Sequence, residues 1–309
     1  MQEQQNTKIF RQVDSLPSLP ATVSNVLAVT ADPESSVEDL VNAILPDQAM
    51  CATILKLANS AFFGMPREVA TMDKAVSVLG FNEVHNIVLG KAVFNSFQKI
   101  SADNKETIDA FWMHSFSCGL AAKILAPSFN CSPSELFIAG LIHDIGKLAL
   151  FVARSDDYLP ILELSGVERI RCRQLELETI GIDHEHVGKH LLTRWLFPES
   201  LLSAVGFHHS PKTCGTKQQY AVIVQLSDAL SLLASVQDEA KNFPLLPQLL
   251  IFLPESEKLW QQYNIDISEE QLQTWMKSLK TSFERFHPSL KLFFTDINIV
   301  LLPQLFAFW

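Results

Sequence analysis

With 309 residues and 48% of them hydrophobic, the chain can form one large core or two smaller ones. Its formal net charge of −10 leaves no basic stripe for a phosphate backbone, so no broad nucleic-acid surface is expected. Pro, Asp or Lys interrupts each apolar run before the ~20 residues of a membrane helix, and the polar opening MQEQQNTKIFRQVDSLPSLP has neither a basic n-region nor an apolar h-region, so no membrane segment and a cytoplasmic location are expected.

From Leu16 to Phe97 the chain reads as short, punctuated helices. Ser36 with Asp39 three residues on forms a capping pattern for SVEDLVNAIL, which Pro46 stops. Asp47 caps the next helix, where Met50, Ile54, Leu57 and Ala58 recur at helical spacing; Gly64 and Pro66 close it. Met72 to Leu79 is a further helix ending at Gly80, and Asn82 is the expected cap of EVHNIVLGKAVFNSF. His85 stands alone in this region, as a surface or helix-face residue.

The polar stretch KISADNKETID marks a boundary, which gives parts 1–104, 105–240 and 241–309. After it, FWMHSFSCGLAAKILA is a helix, and the turn from Pro127 to Pro133 precedes a helix carrying GLIHDIGKL. Glu163 to Ile180 is charged and reads as exposed, and the group Arg169, Arg171 and Arg173 reads as a solvated face among Glu168, Glu176 and Glu178. Asp183 caps HEHVGKHLLTRWLF, Pro198 opens PESLLSAVGFHH, and a long apolar helix spans about Gln218 to Val236. The last seventy or so residues are Pro-interrupted and amphipathic, with WMKSLKTSFERF as their clearest helix, and the apolar tail INIVLLPQLFAFW is expected to pack on the body or a partner. No alternating strand pattern occurs, so the expectation is an all-α, multi-helical bundle with an N-terminal helical part and a C-terminal helical extension. Five scattered cysteines (Cys51, Cys118, Cys131, Cys172, Cys214) without a C-x-x-C pair are expected to be reduced, with neither a disulfide framework nor a zinc ribbon.

His143 and Asp144 sit side by side in an apolar run, where an unpaired charge costs several kcal/mol. A local His–Asp hydrogen bond would meet that cost, and so would a divalent metal, for which imidazole and carboxylate are both good ligands. Six of the nine histidines lie between His143 and His209. His114 precedes them by one helix, and alone would be a core or rim histidine. His186 and His190 share a helix face and could form a self-contained metal clip, whereas His184 would have to converge with distant residues. His208 and His209 are adjacent, and on a helix their side chains diverge by about 100°, which opposes binding one ion in the same way. Asp228 stands as an isolated charge in the long apolar helix and therefore points at a ligand or another side chain.

The series His114, His143-Asp144, His184, His208-His209, Asp228 resembles the HD superfamily of metal-dependent phosphohydrolases. From about Leu16 to Val236 the chain more closely resembles the HDOD subgroup, through LPSLPATVSNVL, DQAMCATILKLANSAFFGM, TMDKAVSVLGFNEVHNIVLG, GLIHDIGKL and GIDHEHVGKHLLTRWLFPESLLSAVGFHHSP. The resemblance implies an HD-like helical bundle and a site for one or two divalent metals, Fe or Mn foremost, with Ni, Zn or Mg as alternatives. Asp144 would bridge, with His114, His143 and Asp228 on one ion and His184, His208 and His209 on the other. Lys147 would contact a phosphate oxygen, and metal-activated water would attack a phosphoester. SPKTCGTKQQY replaces the Gly-Tyr-Pro motif of the cyclic-dinucleotide phosphodiesterases, which argues against that substrate. Three functions remain open: a bacterial signal-transduction regulator, a phosphohydrolase, and a metal- or redox-sensing interaction module. The implied partners are signalling proteins or a phosphorylated small molecule.

Overall fold

The computed structural model describes residues 2–60, 68–97, 105–168, 172–236, 244–253, 256–263 and 265–286. The expected stop at Gly64 and Pro66, Arg169, Arg171 and the apolar tail lie outside them. Among the described residues the fold is all-α, without strands.

The helices fall into two compact units. One is built from Pro17–Lys99 and holds α2 (Ala21–Ala31), α3 (Val37–Ile44), α4 (Gln48–Ala58), α5 (Met72–Leu79) and α6 (Phe81–Ser96). The capping box of Ser36 and Asp39 starts α3, and the Asp47 carboxylate caps α4 on the Met50 N–H at 2.9 Å. Met50, Ile54, Leu57 and Ala58 all turn into the core. Asn82 does not cap α6: Gly80, at φ +94°, ends α5 and begins α6 directly. Only glycine adopts that angle without strain, so no separate capping residue is used.

The other unit is built from Met1–Leu16 and Ile100–Lys280. It contains α1 (Gln2–Asp14), α7 (Lys105–Leu125), α8 (Pro133–Ile142), α9 (Ile145–Ala153), α10 (Ser155–Glu168), α11 (Cys172–Thr179), α12 (His184–Arg194), α13 (Glu199–Phe207), α14 (Gln218–Val236), α15 (Leu245–Phe252), α16 (Glu257–Gln262) and α17 (Glu269–Phe286) as far as Lys280. α7, α8, α13 and α14 pack on one another, while α9 and α12 pair and α1 lies against both. The polar opening is thus a helix that buries Ile9 and Val13. α15 packs on α14, and Tyr263 donates to Gln218 Oε1 at 3.0 Å. All five cysteines are free.

Two glycine contacts bring helices close on either side of the His143-Asp144 turn. A Cβ on Gly140 would stand 2.8 Å from the Cys118 carbonyl on α7, and one on Gly146 would stand 1.9 Å from the His184 carbonyl on α12. By length and composition one segment would suffice to cross a membrane, Pro133–Ala153, with 21 residues and an 18-residue window of mean hydropathy 1.8, although Asp144 and Lys147 interrupt its apolar run as expected. Its one carboxylate and one ammonium beyond the first turn, Asp144 and Lys147, pair with each other. That window is 89% buried within the protein, and the segment breaks into α8 and α9 at the site.

Leu196, 77% exposed, ends the α12 turn at φ +59°, with the Phe197 N–H returning to the Leu192 carbonyl. A left-handed L-residue costs about 1–2 kcal/mol, and glycine gives back about 0.5–1 kcal/mol in chain entropy. Leu196→Gly is therefore expected to raise stability by about 0.5–1 kcal/mol, measured as a higher urea midpoint with an unchanged slope.

Candidate metal centre

The break between α8 and α9 is what aims two adjacent residues at one point. His143 closes α8 and Asp144 takes the N-cap position of α9. α7 contributes His114, α12 begins with His184, α13 ends just before His208 and His209, and α14 contributes Asp228. All seven converge.

They converge as two groups about Asp144. On one side, Asp144 Oδ2 lies 3.2 Å from His143 Nε2 and 3.8 Å from His114 Nε2. Asp228 Oδ1 stands 3.2 Å from His114 Nε2 and 3.9 Å from His143 Nε2. On the other side, Asp144 Oδ1 lies 3.2 Å from His184 Nε2 and 3.5 Å from His208 Nε2, and His209 Nε2 is 3.0 Å from His184 Nε2. His114, His143, Asp144, His184 and His208 are buried, Asp228 is partly open and His209 is exposed, so the last two mark the mouth.

The expected divergence of His208 and His209 does not occur. The pair follows the last residue of α13, Phe207, with His208 as its C-cap, and the ring centroids lie 4.2 Å apart. His186 and His190 form no clip. His186 Nδ1 binds the Asp183 carboxylate, 2.5 Å away, and His190 Nε2 binds Asp14, 2.8 Å away.

The proton positions decide what the centre accepts. His143 Nδ1 donates to the Gly140 carbonyl (2.8 Å) and His208 Nδ1 to the Val205 carbonyl (3.0 Å). His184 Nδ1 donates to Glu176 Oε2 (2.7 Å). Ser231 Oγ gives its hydrogen to the Asp228 carbonyl, so it accepts from His114 Nδ1 at 3.3 Å. With its Nδ1 proton so committed, each ring in its neutral form turns a bare Nε2 lone pair toward carboxylate oxygens or other lone pairs. His143 Nε2 and Asp144 Oδ1 are buried with no hydrogen bond. Such a set repels itself unless cations enter, and imidazole with carboxylate suits a divalent metal.

Where protons rather than metal cations compensate the cluster, the same convergence holds the carboxylates ionised. Burial opposes ionisation of Asp144, but the charges of His143 and Lys147 outweigh it and hold the carboxyl well below its usual range. Asp228, also opposed by burial, is drawn down to about 2 by its bond to His114. Burial lowers His143, whereas at His208 burial is outweighed by Asp144 and Glu185 and the ring is raised. Lys147 Nζ sits 2.7 Å from Asp144 Oδ2; burial opposes its charge, yet Asp144 raises it above the usual ammonium range. In this arrangement the ammonium orients the carboxylate shared by both groups.

A family model of the HDOD domain matches residues 16–211. The chain belongs to the HDOD family. An uncharacterized protein of Treponema pallidum (strain Nichols) is 23% identical to this HDOD chain over 278 residues, 89% of this chain and 51% of that protein, so the chain spans about half the length of the curated relative it matches. A Shewanella amazonensis protein solved as a candidate phosphohydrolase has a TM-score of 0.72 at 22% identity, covering 93% of this chain and 98% of its own. A candidate signal transduction protein of Marinobacter aquaeolei has a TM-score of 0.69 at 19% identity, covering 94% and 66%. Both share the HDOD fold.

Two residues behind the converging side chains were missed by sequence reasoning. Glu176 lies in the stretch expected to be exposed, yet it is fully buried against His184. Glu185, also buried, accepts from the His209 N–H at 2.8 Å and from Ser210 Oγ at 3.3 Å, which holds the paired-histidine turn. Arg173, expected on a solvated face, spans Asp183 Oδ2 and Glu185 Oε2, each at 2.9 Å. The one available signal was position: Glu176 precedes the cap residue Asp183 by seven, within the reach of a single turn back.

Proposed function

We propose that this HDOD chain is a regulatory module of bacterial signal transduction whose His/Asp centre binds divalent metal, in two adjacent sites that share Asp144. The observation that carries this reading is the convergence of Nε2 lone pairs and carboxylate oxygens on two points, with the Nδ1 side of four rings already committed. His114, His143 and Asp228 would hold one ion, and His184, His208 and His209 the other. The regulatory part of the reading is supported by the Pro17–Lys99 unit, whose helices carry no comparable cluster among the described residues. Its partner would be a signalling protein or a phosphorylated small molecule that meets the centre at His209 and Asp228.

The shared carboxylate favours a second reading, a metal-dependent phosphohydrolase. When bound, divalent metals supply Lewis-acid polarisation of a phosphoryl oxygen and activation of water. This chain's residues would hold the ions, while Lys147 orients Asp144 or reaches a phosphate oxygen.

Metal content separates these readings from a metal-free one. The purified protein is expected to carry Fe, Mn, Ni, Zn or Mg near stoichiometry, and none at all would sink both. Chelation is expected to lower the melting temperature on the order of 10 °C, because a ligand at a thousand times its Kd stabilises by about 4 kcal/mol. Phosphoesters and nucleotides assayed with Mn²⁺ and Fe²⁺ then decide between regulator and enzyme: turnover lost in a folded Asp144→Asn protein would replace the regulatory reading with the hydrolytic one.

A further inference from the structure

Glu176 lies on α11, which carries none of the seven converging residues, yet its carboxylate is tied to one of them twice. Oε2 accepts both the His184 backbone N–H at 2.9 Å and the His184 ring Nδ1–H at 2.7 Å. Oε1 accepts the Tyr158 hydroxyl at 2.5 Å, with Cys172 Sγ 3.5 Å away. Burial, with Cys172 and Glu176 beside it, pushes the Tyr158 phenol well up, so the hydroxyl stays protonated and remains the donor. Both oxygens of Glu176 are thereby fixed, as are the start of α12 and the plane of the His184 ring.

The other half of the centre has a different backing. His143 leans on the Gly140 carbonyl and His114 on the Ser231 hydroxyl, both neutral acceptors. A carboxylate on Nδ1–H draws that proton toward itself and makes Nε2 a stronger donor to a cation, an effect that a carbonyl or hydroxyl gives more weakly. A buried carboxylate bonded to a phenol, an amide and an imidazole is also costly unless positive charge reaches it. His184 Nε2, facing Asp144, His208 and His209, is where that charge would sit.

We infer that Glu176, held by Tyr158, is the positioning residue for the metal bound by His184, His208 and His209, and that it sets the affinity of this half-site separately from the half built on His114, His143 and Asp228. The inference rests on the metal reading above and adds a specific division of labour to it.

The test uses the 309-residue wild type, Glu176→Gln, Tyr158→Phe and Ser231→Ala, each stripped of metal and titrated with Mn²⁺. Bound Mn²⁺ is counted by equilibrium dialysis and its paramagnetic resonance spectrum recorded, while circular dichroism of the metal-free proteins monitors the fold. Wild type is expected to bind two ions with the signal of a coupled pair. Glu176→Gln is expected to weaken one site by about 10–100-fold and to show isolated ions at the same free Mn²⁺. Tyr158→Phe should weaken that same site by less, and Ser231→Ala the other site. The inference is overturned if Glu176→Gln keeps both sites at unchanged affinity or weakens both equally. It is also overturned if Glu176→Gln and Tyr158→Phe both fail to fold, which would make the carboxylate a folding element. A wild type that takes up no Mn²⁺ overturns the metal reading and this inference with it, whereas a two-ion wild type with an unaltered Glu176→Gln overturns this inference alone.

Discussion

Asp144→Ala is expected to abolish metal binding at both halves of the centre, whereas His209→Ala is expected to weaken one half only. The difference follows from geometry. Asp144 Oδ2 faces His143 and His114, and Oδ1 faces His184 and His208, so one side chain faces both groups of converging residues. His209 belongs to one group only, beside His184 and His208, and stands at the exposed edge. Asp144→Ala also takes from Lys147, itself buried, its 2.7 Å partner. Removing one member of a buried ion pair costs about 3–5 kcal/mol, so the metal-free alanine variant should unfold at clearly lower urea. Asp144→Asn keeps an acceptor for Lys147 and should lose the metals with a smaller stability penalty. Metal analysis beside urea denaturation of the three variants checks this; an Asp144→Ala protein that keeps a full complement of metal would show that Asp144 is not the shared ligand.

How much of this was legible in the sequence depends on which physical signal each residue left. Ser36, Asp47 and Asp183 cap helices through contacts three residues away, so a local pattern sufficed for them. Asp228 and the His143-Asp144 pair were legible because charge in an apolar helix must be compensated from elsewhere in the fold. Glu176 left no such signal: among Glu178, Arg173 and Gln174 it reads as one more solvated side chain until α11 is placed against α10 and His184. The convergence of His208 with His209 was not legible, because the i, i+1 divergence applies to a continuing helix and these two residues follow the end of α13. α1 was overlooked because its polar surface outnumbers Ile9 and Val13, the pair at helical spacing that carries its burial. Gly140 and Gly146 lower helix propensity, and the close helix contacts that compensate them are the ones observed.

Gly146→Ala is expected to destabilise the protein by about 3 kcal/mol or more and to damage the half of the centre that contains His184 before the half that contains His114. A methyl group at residue 146 would meet the His184 carbonyl at 1.9 Å and the Gly188 N–H at 2.8 Å, both backbone atoms on α12. Backbone cannot rotate aside as a side chain can, so α9 and α12 must separate. His184 begins α12 and would move with it, away from Asp144, His208 and His209. His143 and Asp228 lie on α8 and α14, which this clash does not touch. A displacement of about 1 Å is enough to spoil a preorganised site. Gly215→Ala is the matched control, since a Cβ there has no heavy atom within 4 Å and should leave stability within about 0.5 kcal/mol. Urea denaturation and Mn²⁺ titration of the two variants measure both effects, and a Gly146→Ala protein with wild-type stability and two intact sites would mean that the α9–α12 approach is not what places His184.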